Sequence, residues 1–310
     1  MKSPMAVGLA MGMLGAIGFS GKAIIVKLAY RHGVDTITFL MLRMLLALPF
    51  FMAMVWWTQH RKAAAAVRMG ARDWLGVLWL GFCGYYLASF LDFAGLQFIS
   101  ASLERLILYL NPTLVLLLGI VLYGKRASRH QWLGMAVSYG GVVAVFGHEI
   151  SLTGAHVGVG AALVFGSAVS YALYLSYSGE LVRRLGALRL VGLASCVACV
   201  LCVGQFMLLR PLGVLAELDA DVWWLSVVNA SFCTVLPVVL VMLAIERIGS
   251  ALASQAGMVG PMSTLVMAAV VLDESLSPWV LAGTVLVMAG VFICTQGPRP
   301  LTRRVVARVE

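Results

Sequence analysis

Residues 99–123 read ISASLERLILYLNPTLVLLLGIVLY, and residues 248–272 read IGSALASQAGMVGPMSTLVMAAVVL. Laid against each other 149 positions apart, they match at Ile99/Ile248, Leu103/Leu252, Pro112/Pro261, Leu116/Leu265 and Val121/Val270. The register runs on without a gap through Ser128/Ser277, Gly134/Gly283, Gly141/Gly290 and Val142/Val291. Upstream, Phe82-Cys83 meets Phe232-Cys233 at an offset of 150. The matched proline and the paired glycines seven apart give the match its specificity. Each stretch is almost continuously apolar over about the 20 residues that a bilayer-spanning helix needs. The repeating unit is therefore built of membrane helices.

The rest of the chain agrees. Apolar residues make up 62% and charged residues 11% of 310 residues, with a mean hydropathy of +0.98. Soluble domains run nearer 45–50% and about 25%. A water-soluble core of this size has no means of hiding so much apolar surface. A soluble enzyme, a disordered chain and a nucleic-acid binder are excluded, despite a net charge of +9. Ten apolar stretches lie between clusters of charge and turn residues: Met5–Leu28, Thr36–Trp57, Trp74–Gln97, Ala101–Tyr123, Trp132–Phe146, Val157–Tyr177, Leu188–Leu209, Val222–Ile245, Ala251–Leu272 and Trp279–Thr295. They are continuously apolar rather than alternating, which argues against a β-barrel. With nine more spans behind it, the first reads as a retained helix rather than a signal peptide.

Loop charge sets the orientation. With the N-terminus inside, sixteen Lys and Arg fall on the inner side: Lys2; Arg61, Lys62, Arg68, Arg72; Lys125, Arg126, Arg129; Arg183, Arg184, Arg189; Arg247; and Arg299, Arg303, Arg304, Arg308. Only Arg31 and Arg210 fall outside. This positive-inside bias predicts an even number of spans with both termini cytoplasmic. The fold class expected is an all-α polytopic membrane protein, ten transmembrane helices in two five-helix repeats. Residues 1–147 form the first repeat, 155–297 the second, and 298–310 a basic cytoplasmic tail. Five is odd, so the second repeat enters the membrane inverted, as in secondary transporters. Lys125-Arg126, inside, accordingly aligns with Glu274-Ser275, outside.

These features resemble the EamA branch of the drug/metabolite transporter (DMT) superfamily over nearly the whole chain. The resemblance is carried by Leu103-Glu104-Arg105 through Asn111-Pro112, by Leu272-Asp273-Glu274-Ser275-Leu276, by the Gly283…Gly290 helix, and by Arg43 in span two. It departs at Gly124-Lys125-Arg126, where members often carry an acid. It implies a ten-helix exporter or importer of small metabolites, with a central cavity lined by spans 1, 3, 4, 6, 8 and 9.

Five ionisable residues lie inside spans: Lys22, Arg43, Asp92, Glu104 and Arg105. Each costs roughly 2.5–3.5 kcal/mol at a helix centre on insertion scales. All belong to the first half, and none is spaced for an i,i+3 or i,i+4 pair. Pairing must run between helices, with Asp92 and Glu104 against Lys22, Arg43 and Arg105, leaving one surplus cation. Such a cluster suits a zwitterionic or anionic solute and a carboxylate able to take a proton, or else an ion-pair network near the interface. Glu104 is the first coupling candidate and Asp92 the second, with Lys22 and Arg105 meeting the solute's anion. Arg43 is the least suited of the five and is read as structural.

Asn111-Pro112 and Gly260-Pro261 fall mid-span at matched positions, marking a gating helix break in each half. Polarity in the second half must come from neutral groups, of which Asn229 and Gln255 are the strongest. Tyr85, Tyr86 and Tyr109 share spans with the charges and are candidates to line a cavity. Gly134, Gly141, Gly283 and Gly290 are spaced for one helix face and for close packing, with homodimerisation a weaker reading. Cys196, Cys199 and Cys202 have no His or acid beside them, so no metal is expected. No nucleotide-binding, metalloprotease or serine-hydrolase motif appears in usable context, so neither an enzyme nor a cofactor is expected.

The sequence thus reads as a proton-coupled secondary transporter in a bacterial-type cytoplasmic (inner) membrane, monomeric or homodimeric. Its expected partners are the lipid bilayer, a small-molecule substrate and protons; by analogy with the family it resembles, the substrate is expected to be an amino acid or related zwitterion, moved outward. An uncoupled facilitator and an organic-anion or sugar-phosphate exchanger are the alternatives.

Overall fold

A computed structural model describes residues 4–60, 69–124, 127–153 and 156–296. Lys125, Arg126, Gly154 and the proposed tail lie outside the described residues. Those residues form helices and no strand. Among the described residues, nine helical runs are long and apolar enough to cross a membrane, and a shorter apolar helix, Val259–Leu272, joins them. The protein is an all-helical, multi-pass membrane protein.

In chain order, α1 is Pro4–Arg31 and α2 is Thr36–His60. The third span is α3, Ala71–Gly81, continued through a π-helical turn, Phe82–Leu87, into α4, Ala88–Gly95. The fourth is α5, Ala101–Leu108, then α6, Asn111–Tyr123. Next come α7, Arg129–Thr153; α8, His156–Leu185; and α9, Ala187–Leu209. The last are α10, Ala220–Ala230; a π-helical turn, Ser231–Val235; α11, Leu236–Ala256; α12, Val259–Leu272; and α13, Pro278–Gln296.

Sequence chemistry explains the irregular points. Pro112 has no N–H for the Leu108 carbonyl, and its ring would crowd it. The helix breaks at Tyr109–Leu110, and Asn111 Nδ2 bonds the stranded Leu108 carbonyl at 2.7 Å. Pro112 then stands in the first turn of α6, where a missing N–H costs nothing. Pro261 likewise stands in the first turn of α12, after a break at Gly257–Met258. Both prolines therefore start helices and do not kink continuous ones.

Span nine starts without a break in helical structure, as the continuation of α11 past a reversal. Residues 251–256 belong to α11, and α12 has 14 residues. Ala244 and Ala256 nevertheless both lie within 4 Å of where a Cβ on Gly12 would stand. Twelve residues of straight helix would hold them about 18 Å apart, so the chain reverses between them.

Irregularities recur at a fixed spacing. The two π-helical turns begin at Phe82 and Ser231, and the helix breaks fall at Tyr109–Leu110 and Gly257–Met258. The left-handed C-caps are Gly124, with φ 60°, and Asp273, with φ 59°. The turns and the caps stand 149 residues apart, as the sequence matches do, and the breaks 148.

Helices pack through small residues. α7 lies antiparallel on α13, with Gly134 against Gly290 and Gly141 against Gly283. A Cβ on Gly134 would stand 2.6 Å from the Gly290 oxygen and the Cys294 nitrogen. α1 packs on α11 through Gly12 and Gly15, α8 packs on α4 where Gly160 meets Gly95, and α2 packs on α9. With no hydrophobic drive between helices in lipid, this close approach supplies the packing. At one end Asp35 caps α2, accepting from the Ile37 and Thr38 nitrogens and the Thr38 hydroxyl, and also meets Arg210. Burial pushes the Asp35 carboxyl up, but the hydrogen bonds from Thr38 and Arg210 outweigh it and hold it below its ordinary value.

Candidate substrate and coupling site

Three of the intramembrane charges meet. Lys22 Nζ of α1 stands 2.5 Å from Asp92 Oδ2 of α4 and 3.8 Å from Glu104 Oε1 of α5. Glu104 is fully buried, and both its oxygens lack a hydrogen bond; Asp92 Oδ1 is also buried and unbonded. Two carboxylates against one ammonium leave one negative charge over, which one proton neutralises. The fold puts the group together simply: Glu104 lies in the first turn of α5, capped by Ser100 Oγ at 3.0 Å, and Asp92 lies in the last turn of α4.

Arg105 points elsewhere. Its Nη2 donates to Ser20 Oγ at 2.7 Å. That hydroxyl stands 2.8 Å from both the Ala16 and Gly260 carbonyls and serves one at a time. A Cβ on Gly260 would come within 3.1 Å of Arg105 Nη2, so glycine keeps this crossing open. Arg105 thus joins span four to the helix start of span nine, with α1 between them. Arg43 bonds Thr234 Oγ1 through Nε at 3.0 Å, and its guanidinium lies 5.0 Å from the Phe93 ring centroid.

The other expected residues scatter. Asn229 is fully buried at the foot of the second π-helical turn, both amide atoms unbonded. Tyr85 bonds Tyr174 hydroxyl to hydroxyl at 3.2 Å, with the rings edge to face. Tyr86 stacks on Phe90. Tyr109 closes α5 within the apolar cluster around Leu103 and Leu106. The side chain of Gln255 lies outside the described residues. Gly134, Gly141, Gly283 and Gly290 face one another inside the chain.

Sequence reading missed an outer ring. Glu274 accepts from the Ala101 and Ser102 nitrogens at 2.8 and 3.2 Å and from the Ser102 hydroxyl, so it caps α5 from the far end of α12. Glu149 accepts from the Ser100 hydroxyl, and Lys27 donates to the Ile99 carbonyl at 2.7 Å. These groups line a cavity of about 360 Å³. A second, of about 620 Å³, shares Lys27, Gln97 and Glu274 with it. Neither touches Lys22, Asp92 or Glu104. The signal was Glu274, the one acid placed beside the repeat's αL cap.

Comparison with known proteins fits a bundle of apolar helices around buried charge. The EamA-like transporter family matches residues 6–147 and again 158–296. An uncharacterised transporter of Bacillus subtilis (strain 168), YcbK, is 30% identical over 287 residues, covering 87% of each chain. One crystal structure shares the fold with a TM-score of 0.65 at 16% identity, covering 94% of this chain and 96% of its own. The architecture is that of a polytopic transporter, and the chain belongs to the EamA-like transporter family.

Proposed function

We propose that this transporter moves a small zwitterion, an amino acid or a close relative, outward by proton-coupled alternating access across the cytoplasmic membrane. Residues 1–147 and 155–297 act as two inverted five-helix repeats, with both termini and the tail 298–310 inside. The matched π-helical turns, helix breaks and C-caps support the repeat, and the positive-inside bias of the loops supports the orientation.

One observation carries the coupling: Lys22 is shared by two buried carboxylates. With Glu104 protonated, Asp92 alone balances Lys22. With Glu104 charged, the cluster is one negative charge in excess and competes for a solute's ammonium. Asp92 is the second coupling candidate. Arg105, without a carboxylate within 4 Å among the described residues, faces the solute carboxylate. Asn229, Gln255 and the tyrosines complete the lining, and the breaks at Asn111-Pro112 and Gly260-Pro261 serve the rocking. The organic-anion exchanger gains support from the same unpaired arginine.

The test is counterflow in proteoliposomes with a panel of amino acids and small organic anions, using wild type and Glu104→Gln. We expect an amino acid to exchange in both proteins, and an imposed pH gradient to drive uptake in wild type alone. Equal proton-driven uptake by Glu104→Gln would remove Glu104 from coupling. Exchange confined to anions would select the exchanger.

A further inference from the structure

With Lys22 holding both intramembrane acids, two intramembrane arginines are left without a carboxylate among the described residues: Arg105, which bonds Ser20, and Arg43. Lys22 is satisfied twice. Arg43 is 7% exposed, has no carboxylate within 4 Å, and makes one hydrogen bond among the described residues, from Nε to Thr234. Its Nη1 is buried and unbonded. The titratable groups in its electrostatic surroundings are Asp92, Cys202 and Cys233, and Asp92 Oδ2 is already committed to Lys22 at 2.5 Å. Lys22 Nζ and the Arg43 guanidinium also stand over the same Phe93 ring, at 5.8 and 5.0 Å. Two like charges thus share one small buried region.

The surroundings hold the guanidinium still. Thr234 lies in the π-helical turn Ser231–Val235, and its hydroxyl reaches the Asn229 carbonyl, five residues back, at 2.9 Å. Phe93 takes one face of the guanidinium. With Nε engaged, the Nη1/Nη2 edge is free, and that edge receives an anion through two parallel bonds. A second polar group nearby lacks partners: the Asn229 amide, fully buried, with a free donor and a free acceptor.

We infer that Arg43, fixed by Thr234 and Phe93, is a binding site for a small monovalent anionic group. Arg43 comes from span two and Thr234 from span eight, so a bound anion ties two helices that pack across the bundle. The group is either the carboxylate of a transported solute or a free halide. The inference needs no transport and stands whether or not the proton-coupled reading does.

The experiment is thermal unfolding of the purified protein in detergent, with a bulky sulfonate buffer as the only starting anion. Chloride or acetate then replaces the sulfonate at constant ionic strength. Wild type is expected to show a saturable rise in midpoint, as binding to the folded state requires. A rise with chloride alone assigns a free inorganic ion; a rise with acetate at lower concentration assigns a solute carboxylate. Arg43→Gln is expected to abolish the rise, and exposed Arg72→Gln to keep it. Should Arg43→Gln fail to fold, Thr234→Val and Arg43→Lys take its place, each expected to raise the half-saturating concentration several-fold. No rise in wild type with either anion overturns the site. So does a full rise in Arg43→Gln, or an unchanged half-saturation in both replacements.

Discussion

Spans four and nine share a backbone and differ in chemistry. Each has a short helix, a break, a proline in the first turn of the next helix, and a left-handed residue at its end. Span four carries Glu104 and Arg105; the positions 149 later are Ala253 and Ser254. The bend is thus kept in both halves and the charge in one. Arg105 bonds Ser20, whose hydroxyl reaches the Gly260 carbonyl two residues past the break, so the charged span is linked through α1 to the first turn of α12. If the bend serves movement and the charge serves the solute, then lesions of the shared geometry should act alike in both halves, and lesions of charge should not.

The largest expected effect tests the shared geometry. A methyl on Gly134 meets backbone, the Gly290 oxygen and the Cys294 nitrogen at 2.6 Å, and backbone gives way only by parting the helices. Its partner 149 later, Gly283, meets the Gly141 oxygen at 2.9 Å. Overpacking of this kind costs about 1–3 kcal/mol. Gly134→Ala and Gly283→Ala should lower the unfolding midpoint in detergent by similar amounts. Gly140→Ala, on the same helix as Gly134 with open space around its Cβ, should be neutral or slightly stabilising. A loss at one member of the pair alone would break the equivalence of the halves.

Next comes the asymmetric cap. Glu274 sits on the N-terminus of α5, bonding two backbone nitrogens, and the residue 149 earlier is Lys125. Losing a carboxylate cap costs typically about 1 kcal/mol. Glu274→Gln, which keeps one acceptor, should cost less than Glu274→Ala. Both should loosen the first turn of α5, read as faster hydrogen exchange at Ala101 and Ser102. Unchanged exchange there would mean that Ser100 alone holds the helix start.

Much of this was legible in the chain. Span four was read at Ala101–Tyr123, where α5 starts and α6 ends, because charge and a Gly-Lys-Arg loop bound it sharply. The start of span nine is legible too, since Glu246 to Ser250 is the polar mark between two apolar runs; that helical bonding carries on through the reversal to Ala256 is not. The π-helical turns were invisible, since an extra residue per turn leaves hydropathy unchanged. That the five charges must pair between helices followed from their spacing. Which partner each takes did not, because it depends on how helices distant in sequence face each other: Ser20 for Arg105, and Thr234 for Arg43.

The smallest effect separates the two C-caps. Gly124 adopts φ 60° with open space around it, and Asp273 adopts φ 59° as the single non-glycine residue with positive φ among those described. Left-handed backbone costs an L-residue roughly 1–2 kcal/mol, less for Asp than for most. Asp273→Gly should therefore stabilise by somewhat under about 1 kcal/mol, and Gly124→Ala should destabilise by about 1 kcal/mol, both read as unfolding midpoints. Opposite signs at equivalent positions would show one backbone demand met by two different residues. A fall on Asp273→Gly would mean instead that the exposed carboxylate itself holds the end of α12, and that span nine differs from span four in its cap as well as in its charge.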